Sequence, residues 1–403
     1  MSETRDWESL KLGDFANIVV GATPSRAVQR YWGSENSGHP WVSITDLRNR
    51  IVSETAEYIT DAGVRGSAVS RVSAGTILMS FKLTIGRVAI SGTDLYTNEA
   101  IVAIQPDPLR VDKGWLAHVL PQVASSEISD SAVKGATLNQ KKLRLLEFSV
   151  PPLAEQRRIA EVLDAADGAI DASVACIEKL YLTKDGLVST ILSGLKCRAS
   201  VGLSELSEVA SGVTLGGSLV GSGSKFPCIT VTNVQDGHLD LSEVKKIHLP
   251  ESSSSRYLLH PGDFLMTEGG DFDKLGRGAV WNNEIEDCLY QNHIFRIRCN
   301  QSRLLPDFLS IYSASWHGKN YFRLASKQST NLASINSTQV KEFPVPLISL
   351  EEQQRIISIV QAHDERIAAE RARLEKLRKL KAGLMDDLFT GRVRVGRLDE
   401  LPV

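Results

Sequence analysis

The sequence is poor in most features that betray an activity at first sight. No apolar run approaches the roughly 20 residues of a membrane-spanning helix, and the opening MSETRDWESL lacks the basic and apolar blocks of a signal peptide. A cytoplasmic life without a membrane partner is therefore expected. Cysteines number five, Cys176, Cys197, Cys228, Cys288 and Cys299, with no C-x-x-C spacing and no histidine-rich neighbourhood. A sparse, odd set argues against a disulfide frame or a thiolate zinc site and suits reduced thiols. An excess of one charge is lacking too, the formal net charge being −2. The balance is local as well as global: residues 1–150 carry 16 basic and 16 acidic side chains, and residues 198–344 carry 14 and 15. A protein that grips nucleic acid alone and indiscriminately carries a basic excess. Any such binding here would need a local patch, shape, or a partner's help.

Catalytic signatures are missing as well. Without G-x-x-x-x-G-K-[ST], GGSLVGSGSK (216–225) reads as a flexible Gly/Ser loop and not a phosphate cradle. Neither H-E-x-x-H nor G-x-S-x-G occurs. SVPPL does not match the Asn/Asp-Pro-Pro-aromatic run of amino-methyltransferases. EGGDFDKLG (268–276) gathers Glu268, Asp271 and Asp273. The first half of the chain has no matching cluster, so this reads as a solvated acidic loop, and no metal site is expected. What remains is 403 residues, 42% apolar and 23% charged, enough for two ordinary soluble domains.

What the chain does have is itself, twice. Residues 155–194 align on 352–391 without a gap, and sixteen of the forty positions are identical. Upstream the repeat is looser: GTILMS (75–80) answers GDFLMT (262–267), GRVAI (86–90) answers GRGAV (276–280), LYTN (95–98) answers LYQN (289–292), and FSVPPL (148–153) answers FPVPLI (343–348). So long a period marks domain duplication and not a solenoid. Each copy is a variable block of about 150 residues followed by a similar block of about 45.

The repeated block reads as a helix with a seven-residue apolar pattern. One seam is Ile159, Leu163, Ile170, Ile177, Leu180 and Leu187; the other is Ile356, Val360, Ile367, Leu374, Leu377 and Leu384. Such a/d seams mark a coiled coil. Ser349 to Glu352 form a capping-box pattern, and Pro151 and Pro152 precede the first copy. Two matching amphipathic helices pair most simply with each other, and antiparallel pairing would set the globular blocks at opposite ends of a rod. Lys184 and Lys381 share one seam slot, which suggests an opening of the seam or a contact with another chain. Gly186 and Gly383 interrupt both helices at one place, which a kink, a close backbone approach or simple inheritance by both copies would equally explain.

The variable blocks carry short β-like runs, GTILMSF, GRVAI and EAIVAIQP in the first and FPCITVTNV, GDFLMT and NHIFRIRC in the second. One helical stretch breaks each pattern, GWLAHVLPQV and LLPDFLSIYSASW. Each block is thus a small α+β domain. Polar residues suited to DNA lie in matched places. Ser80, Lys82, Thr84 and Arg87 answer Thr267, Lys274 and Arg277. Lys134, Thr137, Asn139, Gln140 and Lys141 answer Lys327, Thr330, Asn331 and Asn336. Thr23, Thr232 and Asn233 complete the candidate set. Lys and Arg suit phosphate or guanine, while Asn and Gln suit adenine.

Taken together, the twice-present L-x-E-Q-x-x-I opening, with P-L in the first copy, and G-L-x-x-x-[IL]-x-[ST]-G closing resemble the specificity (S) subunit of type I restriction–modification systems. The likeness covers essentially the whole chain. GATPSRAVQRYWGSENSGHPWVSITDL, with Tyr31, Trp32 and Trp41, also resembles the opening of such a recognition domain, whereas GVTLGGSLVGSGSKFPCITVTNV lacks those prolines and tryptophans. The resemblance implies an α+β, internally duplicated fold: two globular target recognition domains separated by two long conserved helices forming an antiparallel coiled coil. Its parts would be recognition domain 1 (1–150), helix 1 (151–197), recognition domain 2 (198–345), helix 2 (346–392) and a tail (393–403). It implies a non-catalytic subunit reading a bipartite target in double-stranded DNA. The helices would act as ruler and docking surface for two methylation (M) subunits, and two restriction (R) subunits would complete a cleaving complex. S-adenosylmethionine, ATP and magnesium would sit on those partners, with no cofactor in this chain. Unlike loops imply unlike half-sites, hence an asymmetric target. The alternatives are a two-headed protein-interaction scaffold and a self-sufficient methyltransferase or nuclease; the missing motifs argue against the latter.

Overall fold

A computed structural model describes residues 7–82, 84–130, 139–195, 197–215, 223–270, 275–328 and 333–395. Within them the duplication is visible strand by strand. In the first copy a sheet runs in the order Ala16–Val20, Ile101–Pro106, Ile77–Ser80, Val88–Ser91, Ile51–Val52, antiparallel except at the last pair. In the second, Ser207–Ser211, Ile294–Cys299, Asp263–Thr267 and Gly278–Trp281 take the same order. Ile77–Ser80 and Asp263–Thr267 are buried at every position, which is why they read as continuous rather than alternating runs. A smaller sheet in each copy joins Glu57–Ile59, His39–Val42 and Tyr96–Thr97, or Lys245–Leu249, Ser224–Ile229 and Leu289–Tyr290. A two-stranded ribbon ties each block's start to its end, Glu8–Lys11 with Glu147–Val150 and Ser200–Gly202 with Pro344–Pro346.

Register corrects one equivalence. LYTN and LYQN match by letter, yet Ile101 faces Ser80 as Ile294 faces Thr267. Ile101 N donates to Asn98 O as Ile294 N donates to Gln291 O. Thr97 therefore corresponds to Tyr290, Asn98 to Gln291 and Glu99 to Asn292, the second copy being one residue shorter between its tyrosine and the sheet. Main-chain hydrogen bonds set strand register, and a chance identity one place away does not move them.

The repeated blocks form unbroken helices, Leu153–Ser193 and Leu350–Phe389, each about 60 Å long at 1.5 Å per residue. Ser349 Oγ accepts from Glu352 N at 3.2 Å, one half of the capping box. The chain divides into two compact units that cut across these helices: residues 1–174 with 372–403, and residues 175–371. Within each unit the helix segments run antiparallel. In unit 1 Glu155 meets Arg394 and Asp167 meets Lys381; in unit 2 Tyr181 meets Arg371 and Lys184 meets Asp364. The two lysines thus mark no opening of the seam. Each is paired with the aspartate of the other copy, and the two aspartates hold the same place in the repeat. The twelve seam residues are all buried or half-buried.

The cores show why the units cross the copies. Unit 1 packs Trp115, Leu120 and Phe148 of the first block with Ile159 and Leu163, and the cluster is completed by Leu388, with Leu384, Met385 and Phe389 against it. Unit 2 packs Phe264, Phe308 and Phe343 with Ile356 and Ile357, and is completed by Leu192 and Leu195. Each globular core is closed by the end of the other copy's helix.

Gly186 and Gly383 need no such contact. Nothing lies within 4 Å of a Cβ built on either, so the close backbone approach expected from the sequence is not found. Gly186→Ala and Gly383→Ala are each expected to stabilise by about 1 kcal/mol, read as a raised urea midpoint. A lowered midpoint would mean that the helices themselves need the backbone freedom of glycine at these places. Among the described residues no helix is long and apolar enough to cross a membrane.

Candidate nucleic-acid interface

The residues singled out for DNA sort into two groups. One group is committed to the fold. Ser80 and Thr267 are both fully buried and close the same hairpin. Ser80 Oγ donates to Thr84 O and accepts from Arg87 N at 3.1 Å, and Thr267 Oγ1 donates to Arg277 O at 3.3 Å. Asn139 and Asn336 cap the short helices Gln140–Arg144 and Ser337–Lys341, accepting from Lys142 N at 2.9 Å and Gln339 N at 3.0 Å. Buried Asn233 accepts from Thr230 N and Oγ1 and donates to Asp240 O and Glu243 O, which saturates its amide. Arg277 donates to Gln235 Oε1 at 3.0 Å and Val231 O at 3.4 Å.

The second group faces outward. Thr84, Arg87, Gln140, Lys141 and Thr232 are exposed, and Thr23 and Lys82 are half-buried; of these Gln140 Nε2 also donates to Ile18 O at 3.4 Å and the Thr232 hydroxyl bonds that of Thr230 at 2.9 Å. Lys327 lies in a small sheet where Lys327–Gln328 pairs with Ala333–Ser334, which in turn pairs with Gly269–Gly270. This brings together the two loops the sequence marked in the second copy. Lys134, Thr137, Lys274, Thr330 and Asn331 lie outside the described residues, as do Asp271 and Asp273. Among the described residues no group of three or more His, Cys, Asp or Glu is placed to hold a metal. All five cysteines are unpaired, and burial pushes the thiols of Cys228, Cys288 and Cys299 up to about 12.

Both copies share a cradle that sequence reading did not mark. The turn after the first sheet strand passes so close to the strand entering the sheet that only glycine fits. A Cβ on Gly21 would stand 2.3 Å from Thr97 O and 2.2 Å from Asn98 O; one on Gly212 would stand 2.0 Å from Tyr290 O and 2.7 Å from Gln291 O. Ala22 N donates to Thr97 O at 2.9 Å, and Val213 N to Tyr290 O at 2.8 Å. In the first copy this cradle carries a charged cluster. Thr23 Oγ1 donates to Glu99, and Arg26 pairs with Glu57 through both carboxylate oxygens. The Arg26 guanidinium stands 3.8 Å from the Trp32 ring centroid, within cation–π range. The Thr23 hydroxyl, with the charges of Lys82 and Arg26, holds the Glu99 carboxyl below the usual range. The signal in the sequence was the shared G-x-T, Gly21 to Thr23 and Gly212 to Thr214, ahead of each LY-x-N.

The fastening of each head to the helices was legible only as identity. Gln156 Oε1 accepts from Asp112 N at 2.7 Å, while Nε2 donates to Arg110 O and Pro151 O. Gln353 does the same for Leu305 N, Arg303 O and Ile348 O. Unit 1 adds a charged knot. Arg50 pairs with Asp164 and Asp167, and buried His118 bonds Asp164 at 2.6 Å. Burial holds the His118 imidazole below its usual range, against the pull of Asp164.

Two similar heads, each closed by the other's helix, define a duplicated α+β protein. Residues 4–180 and 199–379 match the model of the type I restriction modification DNA specificity domain, and the chain belongs to that family. It is 24% identical over 419 residues to the specificity subunit of the type I restriction enzyme MjaVIII of Methanocaldococcus jannaschii, covering 98% of this chain and 94% of that one. The Escherichia coli K12 EcoKI specificity subunit is 25% identical over 280 residues, 64% of this chain and 60% of the relative. The match to the putative MjaX specificity subunit, 28% identical, covers 41% of this chain and 39% of that relative's length. Among solved structures, the S subunit from M. genitalium superposes with a TM-score of 0.54 at 15% identity, covering 95% of this chain and 96% of that one. A chain from work on assembly and conformational transition of the type I system superposes at 0.62 and 17% identity, covering 96% and 98%. At these identities the structures establish the fold.

Proposed function

We propose that the chain is the non-catalytic DNA-reading subunit of a type I restriction–modification complex, each head reading one half of an asymmetric bipartite target. The observation that carries this reading is the pair of heads with one strand order and unlike loops. Reading two sequences on one scaffold needs that combination. The paired helices set the gap between half-sites and dock two methylation subunits, and restriction subunits join the complex where the system cleaves. S-adenosylmethionine, ATP and magnesium belong to those partners. Near-neutral charge fits this division of labour, since partners that enclose DNA supply much of the phosphate attraction.

Co-expression with the methylation subunit, followed by sequencing of methylated bases in the host DNA, tests the reading. The expected result is a two-part motif with a fixed gap and two different halves. Two identical halves would reject the asymmetric assignment. A complex that assembles without methylating would favour a protein-interaction scaffold.

A further inference from the structure

The second head is an internal reference for the first. Both are built on the cradle of Gly21 and Gly212, so what the cradle presents, and not the cradle, distinguishes them. The equivalent residues at its rim are Glu99 and Asn292, each two places ahead of the strand residue that faces Ser80 or Thr267. Glu99 is exposed yet held, its carboxylate bonded by Thr23 and flanked by two cations.

We propose that Glu99 is a specificity-determining residue of the first head, accepting a hydrogen bond from the exocyclic amino group of a base, cytosine N4 or adenine N6. The proposal rests on reading the chain as a DNA specificity subunit. An ionised carboxylate is an acceptor only. On a face that approaches phosphates it is repelled unless cations compensate it. Arg26 and Lys82 do so here, and Arg26 is fixed beforehand by Glu57 and by its stacking on Trp32. Thr23 bonds Oε2 and the Glu99 main-chain N–H also donates to the carboxylate, which with about four lone-pair sites keeps room for a further donor. An amino group is the base-edge donor that matches such an acceptor in the major groove. Asn292 offers a donor and an acceptor from the same place in the other head, a pattern suited to adenine's N6 and N7. The two heads would then differ in chemistry at one shared position.

The test uses the full chain with its methylation subunits and duplexes carrying the recovered motif. Each adenine of the first half-site is replaced in turn by purine, and each cytosine by 2-pyrimidinone, neither of which carries the amino group. The unaltered protein is expected to lose about tenfold in affinity or more at one position, and the analogue responsible identifies the base. Glu99→Ala should lose that sensitivity, while Asn292→Ala should relax only the other half-site. A protein indifferent to every replacement would overturn the proposal. So would Glu99→Ala keeping the sensitivity, or weakening all duplexes equally, as loss of a merely structural contact would. If the unaltered complex shows no bipartite motif at all, the proposal falls together with the specificity reading beneath it. With a normal bipartite motif, any of the three overturning results condemns Glu99 alone.

Discussion

Leu388→Ala is expected to destabilise unit 1 by about 2–5 kcal/mol and to leave unit 2 almost untouched. By sequence Leu388 belongs to the second copy, nearest the second variable block. In the structure it is 3% exposed, in one cluster with Trp115, Phe148, Ile159 and Leu163 of the first. Removing its isobutyl group leaves a cavity among residues held by two sheets and several helices, so collapse around it is limited. Hydrogen exchange read by peptide locates the damage. Peptides from 101–120 should lose protection, and those from 290–310 should keep theirs. Leu192→Ala should give the mirror result, because Leu192 is 1% exposed in the core of unit 2. Loss of protection in the copy that contains the mutated helix, and not in the other, would reject the exchange of helix ends.

Gln156→Leu is expected to cost about 2–4 kcal/mol, the penalty of leaving buried main-chain groups without partners. The side chain is 1% exposed and serves Asp112 N, Arg110 O and Pro151 O, which come from the loop ahead of the helix Lys113–Asp130 and from the start of the first long helix. Leucine fills the space but answers none of the three. Gln353→Leu should cost the same in unit 2, where the amide serves Leu305 N, Arg303 O and Ile348 O. Urea denaturation of each variant measures the loss. A change below about 0.5 kcal/mol would mean that water has taken over the amide's bonds. Gln156→Glu should be no milder, since it keeps the acceptor, loses both donated bonds and buries a charge. The identity of Gln156 and Gln353 across the repeat thus has a structural explanation: a glutamine amide can both accept and donate at this joint.

Much of this protein is written along the chain. The seven-residue seams of Ile159 to Leu187 and Ile356 to Leu384 announce two long helices, because helical periodicity is a local property that survives without knowledge of the partner. Continuous apolar runs such as Ile77–Ser80 announce buried strands for the same reason. The duplication is plain in matching letters, and with it the family.

Three things needed the folded molecule. The exchange of helix ends depends on contacts between residues more than two hundred positions apart, such as Leu163 with Leu388 in one core. The true correspondence of Glu99 with Asn292 depends on main-chain register, which the letters LYTN and LYQN misreport by one place. The division of polar residues into fold and surface depends on who meets whom. Ser80, Asn139, Asn233 and Arg277 are chemically fit for DNA, yet their hydrogen bonds are made inside their own domains. Residue type states what a side chain can bond, and only the tertiary structure decides which partner reaches it first.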